Sequence, residues 1–246
     1  MDVAAPIASD KAELEQAVGL PEIGARLDRL SASRTIWTIL LLMSFGGFFD
    51  AFTLYAGATI APGLYKRTVL QATTASFFSL GGYAGFTSAT FVGLLVASSC
   101  CGVLADKFGR RTIFAAGLLW FGLSGLIMAF QTTALGVVFW RFMLCIGTGL
   151  EVITIDSYLS EMAPKRLRGR AFAINEGIHS TCHPGAALAA FSLVPYSCFH
   201  VDGWRFVVGL GALAALVVWP LQMLIPESPR WLAAHGKLAQ ADKVVR

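Results

Sequence analysis

The chain has 246 residues, 56% hydrophobic and 14% charged, with a formal net charge of +4. A charged share so far below the usual ~25% excludes an ordinary soluble surface, and cations gathered in short loops report topology rather than a nucleic-acid face. The 25 glycines fall mostly inside apolar runs, as in packed transmembrane helices, so the sequence predicts an all-α polytopic membrane protein.

In chain order, residues 1–34 form a mixed-charge, helix-prone leader. No short apolar core with a cleavage site follows it, so it reads as a cytosolic leader and not a signal peptide. The first predicted span, about 35–62, contains "SFGGFFDAFTLYAG", and Asp50 is the only charge between Thr35 and Tyr65. A carboxylate there costs roughly 2.5 kcal/mol or more near the bilayer centre. Further spans follow at about 75–104, 112–130, 134–159, 171–194 and 204–225, giving a six-helix bundle over 35–225. Residues 226–246 begin a cytosolic helical linker. The absence of a period-2 pattern argues against a barrel.

The 105–111 loop carries Lys107, Arg110 and Arg111, and the 160–170 loop carries Lys165, Arg166, Arg168 and Arg170. The opposite short loops carry only Lys66 and Arg67. That asymmetry predicts both termini in the cytosol.

Depth follows from a rise of about 1.5 Å per residue. Asp50 is expected about 22 Å above the inner edge of a ~30 Å hydrocarbon core, and Arg141 about 10 Å below the outer edge. The two share a level and are predicted partners, which would avoid isolated buried charges. Glu151 and Glu176 share a second level nearer the cytosol, where two like charges facing one cavity would compete for a proton. Asp50 as a structural hydrogen-bonding group and Arg141 snorkelling to the outer interface are the plainer alternatives.

His179 and His183 stand four apart with Cys182 between them. That is a metal-ligand spacing without a third anchor, or else a pair of cavity-lining or packed imidazoles. Of the five cysteines, Cys100, Cys101, Cys145 and Cys182 lie in apolar segments and Cys198 outside them; their spacing is that of small apolar side chains, not of disulfides or zinc ligands. Phe48, Phe49, Phe52, Tyr55, Tyr83 and Trp120 read as packing residues.

Three loop stretches are more specific. In "GVLADKFGRRTIF", 102–114, Gly102 permits close helix approach, Asp106 is placed to cap a helix, Gly109 suits a tight turn, and Arg110 with Arg111 anchor the loop in water. In "RFMLCIGTGLEVITIDSYLSEMAPKRLRGRAF", 141–172, Gly147 and Gly149 thin the helix, and Pro164 ends it before Arg168, Gly169 and Arg170 open the next. The third is "PESPRWLAAHGK", 226–237.

Together these resemble the signatures of the major facilitator superfamily, and of its sugar-porter branch with that branch's metabolite-transporter relatives. The resemblance implies a twelve-helix transporter of which this chain is the amino-terminal six-helix half. It implies alternating access, a proton-coupling pair at Asp50 and Arg141, and a cytosolic gate of Asp106, Arg110, Arg111, Glu161, Arg168, Arg170, Glu227 and Arg230. The branch's sugar-contacting glutamine of span five falls on Glu176, a departure that disfavours a simple hexose and favours a polar or ionisable metabolite or a second proton site. Glu176 is a substrate-site candidate, with Glu151 from the shared depth and His179 as a cavity-lining imidazole. The implied function is proton-coupled symport of a small polar organic metabolite, a sugar or an organic acid, with no cofactor and no enzymatic role. The implied partners are solute, proton, lipid and a second six-helix half. A facilitative uniporter, a non-transporting half-transporter or scaffold, and a membrane metalloenzyme resting on His179, Cys182 and His183 are the alternatives.

Overall fold

A computed structural model describes residues 34–60, 63–64, 76–77, 80–195, 197–198 and 201–245. The leader, Lys66, Arg67 and the Cys198 side chain lie outside the described set. Uncharged runs become long helices because lipid offers no partner for free backbone groups. These are α1 (Arg34–Thr59), α2 (Gly82–Phe108), α3 (Arg110–Phe130), α4 (Ala134–Met162), α5 (Arg168–Leu193) and α6 (Gly203–Gln222). Two short antiparallel ladders, absent from the sequence expectation, sit just before α2 and α6: β1 (Ser76–Phe77) with β2 (Leu80–Gly81), and β3 (Ser197–Cys198) with β4 (Val201–Asp202). Two small helices, α7 (Pro229–Ala234) and α8 (Leu238–Val245), close the described chain.

All the long helices except α5 are long and apolar enough to cross a membrane. The fifth expected span, 171–194, is present as α5 at nearly the expected bounds. At 26 residues it has the length, but Asn175, Glu176, His179, Ser180, Thr181 and His183 keep it too polar. Phe91, Val103, Phe130, Phe191 and Val217 lie 65–80% exposed on the outer faces, as side chains facing lipid do.

Helix α4 packs between α2 and α3, α3 also lies on α6, and α1 packs against α5, α6 and α4. Gly147 is the close approach of α4 to α3: a Cβ there would stand 2.8 Å from Phe121 N and 2.9 Å from Gly117 O. Gly149 does the same toward α2, where the Cβ would meet that of Ala97 at 2.5 Å. Gly102, expected to serve such a contact, lies on a face no helix covers, and a Cβ added there would meet nothing within 4 Å. The main apolar core joins Phe52, Phe86, Phe121, Leu144, Trp204 and Val207, and a second cluster joins Met43, Phe114, Ile155, Tyr158 and Ile225.

Candidate functional site

Asp50 and Glu151 are both 0% exposed. The Asp50 carboxyl faces that of Glu151, and neither Asp50 oxygen makes a hydrogen bond of regular geometry among the described residues. The ion pair expected between Asp50 and Arg141 is not formed. Arg141, 1% exposed, instead donates Nε to Thr90 Oγ1 at 3.0 Å, Nη1 to the Thr53 carbonyl at 3.1 Å and Nη2 to the Leu54 carbonyl at 3.2 Å. Its guanidinium also lies 5.1 Å from the Phe86 ring. It thus binds α1 one turn beyond Asp50, through the backbone. Cys145 stands in the fields of both Arg141 and Asp50. Asp50 on α1 and Arg141 on α4 thus both lie near Cys145 without pairing.

The second level is rearranged too. Glu151 meets Asp50 and Gln222 in place of Glu176. Glu176 is exposed on α5, with His179 and Asp156 as its titratable neighbours. His179 and His183 both turn toward α1: a Cβ on Gly47 would overlap His179 Nε2, and the His183 ring packs on Tyr55. Pro184 lacks the N–H that would bond the Ser180 carbonyl, and His183 Nδ1 donates to that carbonyl at 2.9 Å. Among the described residues no group of three or more His, Cys, Asp or Glu side chains is gathered as a metal site. Cys182 is 0% exposed.

At the loops that follow α2, α4 and α6 the three motifs meet. Arg110 reaches Asp106 at 2.6 Å and Glu161 at 3.1 Å, and Ser228 Oγ donates to the other Glu161 oxygen at 2.5 Å. Trp231 Nε1 donates to the Asp106 carbonyl at 2.8 Å, and Tyr158 Oη to that of Pro226 at 2.7 Å. Asp106 was expected as a helix cap. It lies in the last turn of α2, and the α3 cap is supplied by Glu227 Oε1, which accepts from Arg111 N at 3.2 Å and Ser228 N at 3.0 Å. Gly109, at φ +94°, makes the turn and leaves room for the Glu227 carboxylate. Arg111 also donates to the Met223 carbonyl. Among the described residues Arg168, Arg170 and Arg230 join no ion pair in this cluster, and Nε and Nη2 of Arg168 are buried without a hydrogen bond.

Sequence reasoning passed over Gln222, the buried amide at the end of α6, and Asn175, which accepts from Ser44 Oγ at 2.7 Å. Thr90, Tyr158 and Ser228 were missed as well. Each is an uncharged polar residue inside an apolar run or motif, a weaker signal than a charge but a readable one.

The description "Sugar (and other) transporter" matches over residues 39–246. The inner membrane metabolite transport protein YdjE of Escherichia coli is 32% identical over 92% of this chain and 47% of its own length. The niacin transporter NiaP of Acinetobacter baylyi is 26% identical over 92% of this chain and 48% of its own. The fold is that of the proton:xylose symporter XylE of E. coli, with a TM-score of 0.75 at 22% identity over 86% of this chain and 49% of that one. The chain spans about half the length of these relatives. With the match running from the first helix to the last residue, this multi-pass membrane chain belongs to the sugar (and other) transporter family.

Proposed function

We propose that the chain forms the six-helix, amino-terminal half of a secondary transporter that moves a small polar organic metabolite by alternating access, coupled to a proton. The observation that carries this reading is Asp50: fully buried, without a hydrogen bond of regular geometry among the described residues, and facing a second buried carboxyl. Two ionised carboxylates in contact, out of water, repel strongly, and a proton held between them removes the repulsion. Its release leaves a charge that Arg141, one turn away, is placed to meet once it gives up the Thr53 and Leu54 carbonyls. Exchange of those partners is the proposed switch.

Solute would bind along the exposed face of α5, where Glu176, Ser180 and Thr181 open away from the bundle. A face this polar suits a water-filled cavity closed by a second six-helix half better than it suits lipid. The Asp106–Arg110–Glu161 network, with Ser228, Glu227, Trp231 and the partly buried Arg168, would hold the cytosolic gate, and Arg170 and Arg230 would bond the second half. Both termini would then be cytosolic.

The fully bonded state of Arg141 also favours a second reading, facilitative uniport, in which Asp50 and Arg141 are structural. Uptake of D-xylose, D-glucose, myo-inositol and nicotinate into vesicles, with and without an imposed proton gradient, separates the two. Asp50→Asn should abolish gradient-driven accumulation and leave solute exchange in place. Accumulation at wild-type levels in Asp50→Asn would show that Asp50 is not the proton carrier, and wild-type uptake indifferent to the imposed gradient would leave uniport.

A further inference from the structure

The acid pair has a third polar neighbour with no task in the scheme above. Gln222, the last residue of α6, is 0% exposed. Its Nε2 donates to Glu151 Oε1 at 3.5 Å, while its own Oε1 is buried and unbonded among the described residues. The amide reaches the pair because α1 is bare at that height. A Cβ on Gly46 would overlap Gln222 Nε2 and stand 2.8 Å from Glu151 Oε1.

A primary amide carries two donors on nitrogen and an acceptor on oxygen, a few ångströms apart. Ionised Glu151 can only accept, and does so from Nε2. Protonated Glu151 has an O–H to donate, and Gln222 Oε1, on the same amide, is an acceptor with no other bond among the described residues. We propose that Gln222 is a positioning residue of the acid pair, presenting Nε2 to Glu151 when it is ionised and Oε1 when it is protonated, so that the carboxyl keeps one place through a proton cycle.

The other groups around the pair do not duplicate this. Helix α4 contributes Arg141 and Cys145, whose fields reach from one side. From α5 comes His179, seated against Gly47 with Glu176 and Asp156 around it. Helix α2 brings Thr90, which is bonded to Arg141, and α3 approaches Glu151 through Gly117, which has no side chain. The use of this device in transport rests on the proton-coupled reading; its test does not.

The test is a pH titration of the purified chain by infrared difference spectroscopy, with the proton as the only ligand. Asp50→Asn and Glu151→Gln assign the carboxylic-acid C=O bands. In Gln222→Met, which keeps length and loses both hydrogen bonds, the Glu151 band should shift toward that of a non-bonded acid. A hydrogen bond to an ionised acceptor is about twice as strong as a neutral one, so losing both should move the midpoint to higher pH by about one unit, tenfold in proton activity. If Gln222→Met gives no folded protein, Gln222→Asn, with its amide drawn back by one carbon, is read the same way. An unchanged Glu151 band and midpoint in the folded variant overturns the proposal, as does a wild type in which neither acid titrates. Loss of coupling in Asp50→Asn vesicles, or its survival, bears on the transport reading alone.

Discussion

Gly147→Ala tests whether the bundle is held by backbone contact between α4 and α3. The added Cβ would stand 2.8 Å from Phe121 N and 2.9 Å from Gly117 O, both on the α3 main chain, where ordinary contact begins at 3.4 Å. The helices must separate by about 0.6 Å or the side chain must strain, since neither neighbour is a flexible tip. Overpacking of this kind costs about 1–3 kcal/mol, set against about 0.5–1 kcal/mol that alanine gains over glycine inside a helix. The net expectation is a loss of about 0.5–2 kcal/mol, a factor of roughly 2–30 in the unfolding equilibrium. Gly102→Ala is the internal control, because its Cβ meets nothing within 4 Å and only the helix-propensity gain remains. Unfolding of both variants in the same detergent, followed by thermal melting or denaturant titration, should place Gly147→Ala below the wild type and Gly102→Ala at or above it. Equal stability of the two would show that the α3–α4 approach does not bear on the fold.

Arg141→Lys keeps the charge but not the fork that reaches Thr90, Thr53 and Leu54 together. It should cost about 2 kcal/mol, read as a lower denaturant midpoint, and an unchanged midpoint would leave those bonds without weight. Glu227→Ala removes the acceptor at the start of α3 and for Ser228 N. It should cost about 1 kcal/mol and loosen the segment around Trp231, seen as altered tryptophan fluorescence and faster proteolysis between α6 and α7. A cleavage rate equal to that of the wild type would count against the cap.

Motif glycines and charges were legible in the sequence where the chemistry is local. The turn at Gly109, the end of α4 before Pro164 and the reach of Arg110 to Asp106 four residues back all follow from what these residues can do within a few positions of themselves. The pairing of Glu161 with Arg110 was legible only through the family resemblance. Asp50 was legible as well, since a lone acid in an uncharged run has no surface to which it can retreat. What spacing could not supply was azimuth. Rise per residue placed Asp50 level with Arg141, but only rotation about the helix axes decides which side chains meet. Rotation turned Asp50 to Glu151, and Arg141 to the carbonyls of Thr53 and Leu54.

The sequence by itself determined the class, the number of long helices, the loops between them and the identity of the buried charges, because lipid forces apolar runs into helices and exposes every exception. Tertiary structure alone decided the partners. Gly46 leaves the gap through which Gln222 reaches Glu151, and Glu227, more than a hundred residues away in the chain, caps α3 in place of Asp106. Such contacts depend on how six helices are rotated and offset against one another. That arrangement is fixed by the sum of many packing contacts, not by any residue read alone.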